Sequence, residues 1–434
     1  RKRTYTYRQR ILDGEDCRSL ILGMMHSEID RWTAQFLDKN YRWDSIAAWI
    51  HQTFQIEADA GDIRDMSRQD IESWIRDELE RQGEIQINDQ LEMHLPEATE
   101  SKLEWNYIAI VKWANRAFSI TINDRDLRSR ERDEIPAFLI EKIRDAFSRR
   151  DLSDLDGFLD PLFPHKSLAG WVGFNFQLAI SPEEFQSLDQ SSVPKVLRER
   201  VAQQYDKKEA SFPVAVGMHN FLAGDGQQNE RANRERLARW ANTRFRANFD
   251  PAAMAEMQSS AIREVLLQAS RQFLARRPAA AIVEAKLSEI LAGSRPRALL
   301  SENQITTLLS WVDDDLELQL NPDALKRLPV EKVRSEIVQG IDQLFRPELR
   351  QTERSILLEF VDTAWKEHLY FMGYLRQGIG FVGYAQKDPR TEYKREGRRA
   401  FLAMWERIAT QVTESIFRVE HESPAFVGSL WRIT

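Results

Sequence analysis

Between Ser355 and Arg418 the chain carries two apolar ladders separated by a glycine-rich run, Gly378-Ile379-Gly380-Phe381-Val382-Gly383-Tyr384. Leu358, Val361, Trp365, Leu369 and Met372 recur at steps of three or four residues, and so do Phe401, Trp405, Ile408, Val412 and Ile416. Each set therefore lines one face of a 3.6-residue helix. An interior glycine costs a helix about 1 kcal/mol relative to alanine, so the run between the ladders predicts a turn. Asp388-Pro389 marks the restart, because Asp caps free N–H groups and Pro suits the first helical turn. The stretch reads as a helical hairpin.

Working outward, the segment from about Arg8 to Lys39 is expected to form one helix, with Ile21, Met25, Ile29, Trp32 and Phe36 on one face. That face needs a partner, and the hairpin is the expected one, so the two ends of the chain should meet. Between them lies a repeat marked by tryptophan. Ile46, Trp49, Phe54 and Ile56 are reproduced in spacing by Ile110, Trp113, Phe118 and Ile120, and again by Leu168, Trp171, Phe176 and Leu178. Leu237, Trp240, Phe245 and Ala247 follow, then Leu308, Trp311, Leu316 and Leu318. At a constant offset of 22 residues, each Trp is followed by a second ladder stepping by four, beginning at Ile71, Ile135, Val193, Ile262 and Val333. The exceptions in these columns are Gly83 and Ser270. Each unit is expected to be a helix ending near its Trp, a short extended Phe-x-Ile piece, a connection and a second helix, with the Trp in the core.

Composition bounds the function. The length of 434 residues suggests about three domains on a ~150-residue prior, and 30% charged with 42% hydrophobic residues is ordinary for a globular protein. No apolar run is long enough to span a bilayer. Arg1-Lys2-Arg3-Thr4 lacks an initiator Met, which suggests a piece of something longer. The one cysteine, Cys17, fits a reducing compartment, and a net charge of -7 disfavours nucleic acid as a partner.

Catalytic motifs are missing from the sequence. Gly378 to Gly383 matches G-x-G-x-x-G formally, yet a dinucleotide turn needs a strand before it, and here a helix precedes. The seven histidines are scattered singly, and neither G-x-x-x-x-G-K-[ST] nor G-x-S-x-G occurs. The expectation is no catalytic site, no metal and no cofactor in this chain. The basic residues Lys387, Arg390, Lys394, Arg395, Arg398 and Arg399 read either as a solvated helix face or as a contact for acidic groups on a partner.

Beyond these patterns there is a family resemblance. Trp365-Lys366-Glu367-His368-Leu369, Leu375-Arg376-Gln377-Gly378-Ile379, Gly383-Tyr384-Ala385-Gln386-Lys387-Asp388-Pro389 and Glu392-Tyr393-Lys394-Arg395-Glu396 resemble the two-helix finger of SecA, the ATPase motor of bacterial preprotein translocation. Tyr7-Arg8-Gln9-Arg10 with Leu12 resembles the end of its long scaffold helix. Trp43-Asp44 with Ile46 and Trp49, and Leu197-Arg198-Glu199-Arg200 through Tyr205 to Lys207-Lys208-Glu209, resemble its helical wing. Gly380 and Val382 stand where a His and an Arg are common in that family.

The resemblance implies an all-α protein with a scaffold helix over 1–41, a wing expanded to about five tandem repeats over 42–345, and a finger with C-terminal scaffold over 346–434. It implies a tip at Ile379, Phe381, Val382 and Tyr384 that touches unfolded preprotein, and a channel or lipid contact at Lys387, Arg390, Lys394, Arg395 and Arg398. Its partners would be a membrane protein-conducting channel, the preprotein and upstream motor domains holding ATP and Mg. Its place would be the cytoplasm, peripherally at the inner face of the cell membrane. The rival reading is a helical repeat scaffold for protein docking without transport.

Overall fold

The computed structural model describes residues 2–12, 16–96, 105–222, 230–316, 318, 320–378 and 388–419. These residues are overwhelmingly helical and include no strand, only an isolated antiparallel bridge between Leu299 and Pro329. The chain is all-α, as its ladders predict. It divides into two compact units, one made of 1–32, 171–180 and 191–434, the other of 33–170 and 181–190.

The expected first helix is described as α1 (Lys2–Leu12) and α2 (Cys17–Phe36), with 13–15 outside the described residues. The first repeat holds α3 (Tyr41–Phe54), α4 (Ala60–Ile63) and α5 (Arg68–His94). The second holds α6 (Tyr107–Phe118), α7 (Asp124–Arg128) and α8 (Ile135–Ser148), and α9 (Asp154–Leu159) follows it. The third holds α10 (Phe163–Phe176), α11 (Pro182–Ser187) and α12 (Val193–Leu222). The fourth holds α13 (Glu230–Phe245), α14 (Pro251–Ala255) and α15 (Ser259–Leu274), followed by α16 (Ala280–Ile290). The fifth holds α17 (Glu302–Leu316), α18 (Pro322–Leu325) and α19 (Val330–Phe345).

The repeats share more geometry than their apolar columns announced. Each first helix ends on the residue five after its Trp, so Phe54, Phe118, Phe176 and Phe245 are its last helical residues rather than part of an extended piece. The residue after each Phe turns left-handed, with φ of 59° at Gln55, 54° at Ser119, 54° at Gln177 and 51° at Arg246. That conformation stops the helix, at a cost in backbone energy for a residue other than glycine. Four residues later an Asp, Asn or Ser caps a one-turn helix. Asp59, Asn123, Ser181, Asp250 and Asn321 each accept from backbone N–H groups within the following three residues.

The Trp column is less buried than expected. Only Trp311, 9% exposed, belongs to the core, whereas Trp49, Trp113, Trp171 and Trp240 are half-buried. Each of these four packs edge-on against the Phe five residues later, with ring centroids 5.3–5.6 Å apart. The fully buried anchor is instead the residue three before the Trp, at Ile46, Ile110, Leu168, Leu237 and Leu308.

Both exceptions in the ladders have a packing reason. Gly83 lies where α5 meets α8, and a Cβ there would stand 3.2 Å from Ile143 Cδ1 and 3.3 Å from Ile140 Cδ1. Ser270, buried, donates its hydroxyl to the carbonyl of Ala210 at 2.8 Å. Pro213 lies inside α12, three residues beyond Ala210, and the helix continues through it to Leu222.

Two second helices outgrow their own repeat. Ile71 and Ile75 of α5 sit in the first repeat's core, and Ile87 and Leu91 of the same helix sit in the second's. Likewise α12 runs from its own ladder to Val214, which joins the core of the fourth and fifth repeats.

Candidate functional site: a hairpin and the charges at its base

The hairpin predicted from the sequence is formed by α20 (Pro347–Gly378) and α21 (Pro389–Ile416). Asp388 caps α21 as expected, accepting from the N–H groups of Arg390 at 3.3 Å and Thr391 at 3.0 Å. The Thr391 hydroxyl and these amides hold its carboxyl below the ordinary range. Leu357, Val361, Ala364 and Trp365 of α20 are buried with Met404, Ile408, Val412 and Ile416 of α21. Toward the tip, Gly397 lets the helices close, since a Cβ there would stand 3.0 Å from Met372 Cε. Arg407 and Glu367 pair across the hairpin at 2.5 Å.

The two ends of the chain do meet. Arg8 of α1 grips Asp362 of α20 through two bonds of 2.7 and 3.0 Å. Tyr7 packs edge-on against Trp405 at 4.8 Å, and Tyr5 against Trp365 at 6.1 Å. On α2 the buried Glu28 accepts from Thr410 of α21 at 2.9 Å and from Arg31 at 2.6 Å. His368 stacks on Trp365 at 5.5 Å, and burial lowers its pKa.

Burial stops partway along the hairpin. After Trp365 on α20, and before Met404 on α21, no described residue is buried. That leaves about 13 residues of α20, or roughly 20 Å at 1.5 Å per residue. This distal segment exposes Tyr370 (72%), Tyr374 (73%) and Phe371 (45%), with Leu402 of α21. The apolar ladders do not mark these aromatics, which lie off the inward face. Ile379, Phe381, Val382, Tyr384 and Lys387 lie outside the described residues. Arg390, Lys394, Arg395 and Arg398 all lie on the first turns of α21 and are exposed. Arg395 is engaged by Glu392 at 2.5 Å and by Glu396 at 3.4 Å on its own helix.

At the base of α20 is a charge cluster with no signature in the sequence. Arg346, between α19 and α20, has a wholly buried side chain. It donates to Glu353 at 2.6 and 2.9 Å, to Glu209 of α12 at 2.6 Å and to Asp342 at 3.2 Å. Arg277, just past α15, donates to Asp342 at 2.7 Å, and Arg18 of α2 donates to Glu209 at 2.7 Å. The buried Tyr205 hydroxyl donates to Glu353 at 2.6 Å.

Burial pulls the Arg346 pKa down, but Glu353, Asp342 and Glu209 outweigh it and hold the guanidinium above its ordinary value. Burial likewise raises Glu353, although Arg346 and the Tyr205 hydroxyl pull the other way. The cluster gathers α2, α12, α15, α19 and the root of the hairpin at one guanidinium. Apart from Tyr205, which ends the Val193 ladder, its members sit at single scattered positions that no periodicity reveals.

Among the described residues no three His, Cys, Asp or Glu side chains are grouped to hold a metal ion, and no helix is long and apolar enough to cross a membrane. The SecA Wing and Scaffold domain family matches residues 261–420, which include the fifth repeat and the hairpin. The chain is 32% identical over 438 aligned positions to the protein translocase subunit SecA 1 of Rhodopirellula baltica, covering 99% of this chain and 35% of that protein. It is 36% identical over 135 residues to the protein translocase subunit SecA of Nitrosomonas europaea, covering 31% of this chain and 15% of that protein. A similar match of 35% over 128 residues, 29% of this chain and 14% of that protein, links it to the SecA 1 subunit of Nitrosospira multiformis. No solved structure matches. The chain thus spans about a third of the length of the Rhodopirellula relative. Matched along nearly its whole length by one translocase subunit, and through its last repeat and hairpin by the wing-and-scaffold family, the chain belongs to the SecA family.

Proposed function

We propose that this chain is the non-catalytic part of an ATP-driven preprotein translocase that passes motion from a motor to an unfolded polypeptide in a membrane channel. The observation that carries the reading is the division of the hairpin. Its base is fixed by Arg8–Asp362, Tyr7–Trp405 and the buried faces of α20 and α21, while its distal end projects with exposed aromatics. A rigid lever needs the first, and loosely selective contact with passing chain needs the second. Nucleotide and magnesium would sit in other domains of the whole protein, because this sequence supplies no phosphate-cradling loop. The tip residues Ile379, Phe381, Val382 and Tyr384 would meet the polypeptide, with Lys387, Arg390, Lys394 and Arg398 facing acidic channel loops or lipid head groups. The whole would work in the cytoplasm, peripherally at the membrane.

The test is a photo-crosslinker at Tyr374 or Tyr384 in the full-length protein, reconstituted with its channel and an arrested preprotein. Crosslinks to preprotein are expected at both positions. Crosslinks confined to the scaffold helix, or none to preprotein while transport proceeds, would overturn the lever reading and favour a docking scaffold.

A further inference from the structure

Between the first and second repeats lies a groove of about 780 Å³, within the size range of pockets that take ligands. Two copies of one element frame it, the left-handed turns at Gln55 and Ser119 that end α3 and α6. Its floor is apolar, made by Phe54, Leu79, Phe118, Ile143 and Phe147. Its rim is cationic. Arg116, Lys142, Arg149 and Arg150 line it against one carboxylate, Asp145, in a chain whose net charge is -7.

These cations differ in availability. Arg150 donates to the Thr53 carbonyl at 3.1 Å and lies over the Phe54 ring, and Lys142 is 3.8 Å from Asp145. Arg116 and Arg149 are exposed on the rim. Gln55 and Gln86, also exposed there, carry donors and an acceptor suited to the N–H and C=O groups of an extended chain. A nucleic acid wants cations spaced along a backbone, whereas here they flank an apolar floor.

We propose that the groove binds an extended polypeptide segment with alternating apolar and acidic side chains. Its apolar residues rest on the Phe54–Phe118–Phe147 floor, its carboxylates pair with Arg116 and Arg149, and its backbone meets Gln55 and Gln86. The site is independent of the hairpin and of the translocase reading.

The test is fluorescence anisotropy of this chain with a short labelled peptide alternating Glu and Leu, beside the same peptide with Lys for Glu and a short single-stranded DNA. Saturable binding of the Glu peptide alone is expected, weakening as added salt shortens the screening length. The double variant Arg116→Glu/Arg149→Glu should bind about tenfold more weakly, equivalent to ~1.4 kcal/mol. Its circular dichroism melt should match the parent's, and Arg116→Gln/Arg149→Gln replaces it if not. Absence of saturable binding, equal binding of the Lys peptide, preference for the DNA, or indifference to both variants would each overturn the proposal.

Discussion

Replacing Arg346 with Met should destabilise the unit containing the hairpin by about 3–5 kcal/mol near neutral pH, the usual cost of breaking a buried ion pair from one side. Arg346 is wholly buried and bonded to Glu209, Asp342 and Glu353, and Glu353 is itself 0% exposed. Met fills much of the aliphatic stem, so the loss is chiefly electrostatic. In the variant Glu353 keeps the Tyr205 hydroxyl but loses the guanidinium that holds its pKa down against burial.

A carboxyl whose folded pKa exceeds its unfolded one favours the folded state below the unfolded value and loses that contribution as pH rises through the folded value. Without Arg346 that folded pKa climbs further. The deficit against the parent should therefore shrink as the pH is lowered from neutral and Glu353 takes up its proton. Urea unfolding followed by circular dichroism gives the total, and hydrogen exchange of α12 and α20 amides assigns it, since two compact units need not unfold together. A loss under about 1 kcal/mol at neutral pH, or a deficit that widens on acidification, would show that the cluster does not bear on stability as described.

Gly217→Ala should cost about 1–3 kcal/mol in chemical denaturation, because its Cβ would run into the Trp240 ring, whereas Gly23→Ala, with nothing within 4 Å, should stabilise α2 by about 0.5–1 kcal/mol. Equal effects at both sites would contradict the close approach. Ser270→Ala should cost about 0.5–1.5 kcal/mol by removing the hydroxyl bond to the Ala210 carbonyl, and a neutral result would mean that this bond adds nothing to the packing of α15 on α12. Burial, helped by the charge of Glu353, pushes the Cys17 thiol up to about 12, so iodoacetamide should label it only after urea unfolding; labelling of the native chain at a free-thiol rate would refute that burial.

Most of the fold is legible in the sequence because its signal is periodic. The ladders of α20 and α21, the face of α2 and the second-helix columns all repeat at helical spacing, and burial follows them at Val361, Ile408, Ile29 and Leu139. The short capped helices escape that reading, although Asp59, Asn123, Ser181, Asp250 and Asn321 stand ten residues after each Trp and Pro follows three of them. Their signal lies in a polar column, which the spacing of apolar residues does not reach. The half-burial of Trp49 and Trp113 is illegible for another reason: a large side chain in an apolar column can pack edge-on at a rim as well as inside. Tyr370, Phe371 and Tyr374 give no sign in the sequence because exposure is a property of where packing ends, and only the three-dimensional arrangement shows that burial stops at Trp365.

Helix α5 passes from the core of one repeat, at Ile75, to the core of the next, at Ile87, without a break. Each residue added to a helix turns everything beyond it by about 100° and advances it by 1.5 Å. A one-residue insertion between those isoleucines would swing Ile87 and Leu91 away from the second core while leaving the first intact. The same arithmetic governs α12 between Tyr205 and Val214. Length variation among homologues of these repeats should therefore collect in the connections, and a repeat cut out from one Trp to the next would take with it half of a helix that its neighbour needs.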